Sequence, residues 1–123
     1  MKRLDRGIVL VVEDNAATNE ALTVLLGMSG HFAIGASDGH AALTMLRAGL
    51  RPSVIVLDLT MPFVDGWEVL RETAADPALE HIPVVVYSGA QPERIPAGVA
   101  AYVPKGDDPD VLLDVVAGLT RPS

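Results

Sequence analysis

Acidic residues stand where two apolar runs stop abruptly. IVLVV, residues 8–12, passes directly into Glu13 and Asp14, and VIVL, residues 54–57, passes into Asp58. A third run, IPVVVYS over 82–88, ends in the hydroxyl of Ser88, and a fourth, AAYVP over 100–104, is followed by the ammonium of Lys105. If these runs are parallel strands, all five groups gather at one sheet edge. Crowded carboxylates raise one another's pKa unless a cation neutralises them. A hard divalent ion resolves the conflict, and Mg²⁺ suits it because it takes oxygen ligands in octahedral geometry and is commonly held by one or two carboxylates plus a phosphate. The hydroxyl and the ammonium could bind the oxygens of an anion seated on Asp58. An aspartate carboxylate can attack phosphorus to give an acyl phosphate, so the chemistry indicated is phosphoryl transfer.

The elements that must position these groups can be read from periodicity. Apolar, β-branched runs recur at 8–12, 31–36, 53–58, 82–88 and 100–104. Each is short and continuous, as expected of strands covered on both faces. Helical stripes lie between them: Ala21, Leu22, Leu25 and Leu26; Ala42, Leu43, Leu46 and Leu50; Val111, Leu112, Val115, Val116 and Leu119. The pattern is a strand and a helix, five times over. Asp65 with Glu68 has the spacing of a capping box, and Asp108 before Pro109 reads as a cap followed by the first helical residue. QPERIPAG, residues 91–98, carries Pro92 and Pro96, so a fourth helix there is short, at most about one or two turns. Right-handed crossovers then give an open, doubly wound α/β sheet, whose ligands sit beyond the carboxyl ends of the strands.

Composition narrows the function classes. A chain of 123 residues is one domain, expected to span 1–123, and half its residues are hydrophobic while 4% are aromatic. The net charge is −7 and the basic residues are scattered, which argues against direct nucleic-acid binding. There is no cysteine, so thiolate chemistry and disulfides are excluded. The N-terminal apolar run is too short for a signal peptide, and no run of about 18 apolar residues offers a membrane span. A soluble cytoplasmic domain is expected. VYSGA lacks the leading glycine of a nucleophile elbow and no histidine follows it, which excludes a serine hydrolase. GASDG, residues 35–39, lacks dinucleotide-site spacing, and His31, His40 and His81 lack metal spacing.

Taken together, VVEDN, ASDGHAAL, VLDLTMPFVDGWEVL, VVYSGA and AGVAAYVPK resemble the receiver domain of two-component response regulators, chemotaxis receivers among them, over essentially the whole chain. The resemblance implies a flavodoxin-like sandwich with a five-stranded parallel sheet in the order 2-1-3-4-5. It implies that Asp58 is the phosphoacceptor, that Asp14 binds Mg²⁺ directly and Glu13 through water, and that Asp58 and the backbone carbonyl of Thr60 complete the protein's share of the metal site. Ser88 then matches the switch hydroxyl, Lys105 the phosphate-binding lysine and Tyr102 the aromatic switch. The phosphoryl donor would be a histidine kinase or a histidine phosphotransfer protein, and the output a downstream protein target. Such a domain is a regulatory phosphoacceptor rather than an enzyme with a separate substrate.

Two features depart from the family's pattern. Receivers usually carry proline immediately after the lysine, whereas Pro104 precedes Lys105 and Gly106 follows it, so a looser trans loop is expected. Only seventeen positions separate Ser88 from Lys105, which shortens the fourth helix and puts dimerisation through it in question. Both features fit an alternative, a pseudo-receiver that acts as a phosphate-independent binding scaffold. A flavin-binding electron carrier of the same topology has less support, since the strand ends offer acids where a flavin phosphate wants amides and hydroxyls. Residue by residue, plainer roles exist as well. Asp14 could cap the first helix, Tyr102 could pack with a wet hydroxyl, Trp67 reads as packing, and Gly39 and Gly66 read as turn residues.

Overall fold

Alternation inside each apolar run decides the architecture, because successive residues of a strand point to opposite faces and here both faces are apolar. The computed structural model describes residues 7–59, 61, 66–89, 98–106 and 108–120. Its elements are β1 (Ile8–Val12), α1 (Ala16–Met28), β2 (Phe32–Ala36), α2 (Gly39–Arg47), β3 (Val54–Leu57), α3 (Gly66–Ala74), β4 (Val84–Ser88), β5 (Val99–Pro104) and α4 (Pro109–Thr120). All four strand pairings are parallel, in the order β2-β1-β3-β4-β5. This is the order expected for a flavodoxin-like sheet.

Leu10, Val12, Ile55, Leu57 and Val86 point to one side, where α2 and α3 cover them with Ala42, Leu43, Leu46, Val69 and Leu70. Val9, Val11, Val54, Val56 and Val85 point to the other, under Leu22 and Leu26 of α1 and Leu112 and Val116 of α4. Each such side chain removed from water contributes roughly 1.5–3 kcal/mol. Central strands β1 and β3 therefore anchor the residues that follow them. No helix among the described residues is long and apolar enough to cross a membrane.

Several local expectations change. Asn15, not Asp14, caps α1: its side chain accepts a 2.9 Å hydrogen bond from the Thr18 amide. A cap must sit one residue before the first helical turn, and the strand end places Asn15 there. At α4, Pro109 is the first helical residue and Asp108 Oδ1 accepts from the Asp110 amide at 2.9 Å, as expected. Trp67 is 39% exposed at the start of α3 rather than packed away. Neither Gly39 nor Gly66 has a left-handed φ. Gly66 is needed for space, because a Cβ there would lie 2.2 Å from the carbonyl oxygen of Asp58. Asp65 and Thr60 lie outside the described residues, as does the segment 90–97 that carries nearly all of the expected short fourth helix.

Candidate functional site

β1 and β3 end side by side, and the backbone continues the β1–β3 and β1–β2 ladders one step further. The Asp58 amide donates to Val12 O at 3.1 Å, and the Glu13 amide donates to Ala36 O at 3.1 Å. Both acids thus leave the sheet at the same level while still inside its cover: Glu13 is 2% and Asp58 5% exposed. Asp14, one residue later, is exposed. One carboxylate oxygen from each of the three acids lies within 4.8 Å of the others.

Two groups from β4 and the end of β5 meet Asp58. Ser88 Oγ donates to Asp58 Oδ1 at 3.0 Å, and Lys105 Nζ donates to Asp58 Oδ2 at 3.1 Å. Lys105 also forms an ion pair with Oε1 of Glu13, whose Oε2 accepts from the Asn15 amide at 3.0 Å. The Ser88 carbonyl accepts the Lys105 amide at 3.1 Å and the Tyr102 hydroxyl at 3.3 Å. Ser88 therefore ties lysine, tyrosine and aspartate to one peptide.

The loop behind the lysine does not limit its reach. No described peptide is cis, and Gly106 takes φ of +100°, which proline, held near −65°, cannot adopt. This accounts for glycine where the resembling family has proline. The loop is trans, as expected, and it does not keep Lys105 from the site, since Nζ contacts both buried carboxylates.

Among the described residues, charge at this edge is unbalanced: three carboxylates gather there, and one ammonium pairs with two of them. Burial pushes the Glu13 carboxyl above its ordinary range, against the opposite pull of Lys105 and the Asn15 amide. Burial also pulls Lys105 down, but its hydrogen bonds to Glu13 and Asp58 and their charges outweigh that and hold the ammonium above its usual value. A buried acid that one lysine does not fully compensate, in an all-oxygen donor set, fits an additional hard cation.

The structure therefore brings together Glu13, Asp14, Asp58, Ser88, Lys105 and, through the Ser88 carbonyl, Tyr102; Thr60 is outside its description. Reading the sequence alone misses Asn15 and Asn19. Asn15 holds Glu13 through a backbone amide, which no side-chain pattern reveals, while the V-E-D-N order did signal a cap.

Comparison with known proteins follows the same lines. The model of the response regulator receiver domain family matches residues 9–117. Response regulator PleD of Caulobacter vibrioides is 34% identical over 118 residues, which cover 92% of this chain and 26% of PleD. The chain thus spans about a quarter of that relative. Among solved structures, the signal receiver domain of a signal transduction histidine kinase from Syntrophus aciditrophicus superposes with a TM-score of 0.85 at 27% identity, covering 95% of each chain. The Mn²⁺-bound form of response regulator Rcp1 superposes with a TM-score of 0.75 at 32% identity, covering 92% of this chain and 91% of that one.

Proposed function

We propose, for a chain that belongs to the response regulator receiver domain family, that Asp58 accepts a phosphoryl group from a phosphohistidine on a histidine kinase or phosphotransfer protein. One observation carries the reading: a buried carboxylate has one oxygen on a serine hydroxyl and the other on a lysine, beside two further acids. A merely structural strand-end acid has no need of that surround.

In the transfer, an Asp58 oxygen forms the O–P bond as the N–P bond of the donor breaks, and the donor imidazole keeps the electron pair. Glu13, Asp14, Asp58 and the backbone carbonyl of Thr60 are the groups that would hold Mg²⁺, which when bound supplies neutralisation of the charge on the transferring group. Lys105 binds an incoming phosphoryl oxygen with the ammonium it now shares between Glu13 and Asp58. Ser88 Oγ exchanges its bond to Asp58 for one to the phosphoryl group. That exchange shifts the Ser88 peptide, on which the Tyr102 hydroxyl rests, and so carries the new charge to the surface around β5. The domain acts as a regulatory phosphoacceptor, and the altered surface is what a downstream protein reads.

The test is intact mass after incubation with Mg²⁺ and acetyl phosphate. One added phosphoryl group is expected, absent from Asp58→Asn and from a metal-free control. A folded protein that gains no mass, with the donor verified on another receiver, would overturn the reading in favour of a phosphate-independent scaffold.

A further inference from the structure

Asn19 lies on α1, six residues beyond Glu13, and is half-buried. Its Nδ2 donates to two carbonyls, Glu13 O at 3.0 Å and Ala36 O at 3.0 Å, so one amide spans the ends of β1 and β2. Ala36 O already accepts the Glu13 amide at 3.1 Å. The asparagine therefore supplies a rung beyond the last rung of the sheet, on the peptide that joins Glu13 to Asp14. Gly35 makes room for it, since a Cβ there would come within 2.2 Å of Asn19 Oδ1. Asn19 and Gly35 also line the open cleft of about 330 Å³ that begins at the two acids.

The consequence falls on the acidic pair. Pinning the Glu13 carbonyl fixes the direction in which the chain leaves the sheet, and so the position of the exposed Asp14 that follows it. Groups that orient ligands from behind typically change metal affinity by 10–100-fold. We infer that Asn19, seated by Gly35, is a positioning residue that sets the Glu13–Asp14 peptide for divalent-cation binding. The inference rests on the receiver reading of these acids and deepens it.

The test is Mn²⁺ affinity of the full chain, read from the electron paramagnetic resonance signal of the free ion. Asn19→Ala is expected to weaken Mn²⁺ about tenfold while keeping the circular dichroism of the parent, because alanine favours the helix that asparagine disfavours. Gly35→Ala, which pushes Asn19 aside without removing it, is expected to weaken Mn²⁺ as well. In the Asn19→Ala background the same Gly35→Ala change should cost nothing further, since the atom it strikes is gone. Asn19→Ala within twofold of the parent overturns the inference and leaves the receiver reading standing. So does a Gly35→Ala penalty that persists unchanged in the double variant. A parent protein that takes up no Mn²⁺, or does so equally well as Asp14→Asn, overturns both.

Discussion

Asp58 sits between two sides built in different ways. On the β1–β2–α1 side, Glu13 and Asp14 are placed by backbone: strand ladder, the Asn15 amide, and the Asn19 side chain on two carbonyls. On the β4–β5 side, Ser88, Lys105 and Tyr102 reach inward by their own side chains, and the strands that carry them pair with a shift of register between Val84 and Val85. Backbone rungs cannot be exchanged without opening the sheet, whereas a hydroxyl or an ammonium can change partner by rotating. The first side is suited to hold a cation in fixed geometry, and the second to respond when a charge arrives.

Lys105 crosses between the two sides, so its removal has the largest effect. Lys105→Met leaves Glu13 and Asp58 buried without their shared counter-charge. Breaking a buried pair costs about 3–5 kcal/mol, and the partial exposure of the lysine reduces that to about 1–3 kcal/mol. Denaturant unfolding of the metal-free protein measures it, and Mg²⁺ should stabilise the variant more than the parent. A variant as stable as the parent would show that the two sides are not joined through this ammonium.

The same contact has a signature in alkali. Because the folded Lys105 holds its proton more tightly than its ordinary value of 10.5, its contribution is complete below that pH. It is lost as the pH rises through the higher folded value. The stability gap between parent and Lys105→Met should therefore stay level up to about pH 10.5 and close only above it. A gap that narrows already near neutrality would locate the stabilisation elsewhere.

Asn15→Ala tests the backbone-built side. Loss of the cap on α1 should cost about 1 kcal/mol. The Asn15 amide that holds Glu13 belongs to the main chain and survives the substitution. Thermal unfolding should shift while phosphoryl uptake from acetyl phosphate persists, a separation that a side-chain-built site would not permit.

Most of this division is legible in the sequence on the strand side and little of it on the helix side. Parallel strands all end at one edge, so Glu13, Asp58 and Ser88 declare themselves by following apolar runs, and Lys105 by following Tyr102 and Pro104. Asn19 does not, because a polar residue on a helix reads as solvent-facing, and its partner Gly35 reads as slack in an apolar run. Their contact joins positions distant in the chain, and no local period encodes it. Gly66 is similar: a turn glycine by sequence, it is required by the nearness of the Asp58 carbonyl. The plainer role open to Asp14, capping α1, falls one residue later on Asn15, the distance by which β1 outlasts its apolar run through the Glu13 amide.

The smallest expected effect belongs to Tyr102, and it bears most directly on whether the β4–β5 side is free to rearrange. Tyr102→Phe removes a 3.3 Å bond to the Ser88 carbonyl, which keeps the Lys105 amide, and leaves the ring packed against the α2–α3 side of the core. A bond of that length to an acceptor that stays satisfied is worth no more than about 0.5 kcal/mol. Equilibrium unfolding should scarcely move. If the ring follows Ser88 on phosphorylation, amide exchange in β5 should differ between the phosphorylated and unphosphorylated parent, and the difference should shrink in the variant. A loss of stability well above 1 kcal/mol would mean that Tyr102 locks β5 in place, and that the side-chain-built half of the site is as rigid as the other.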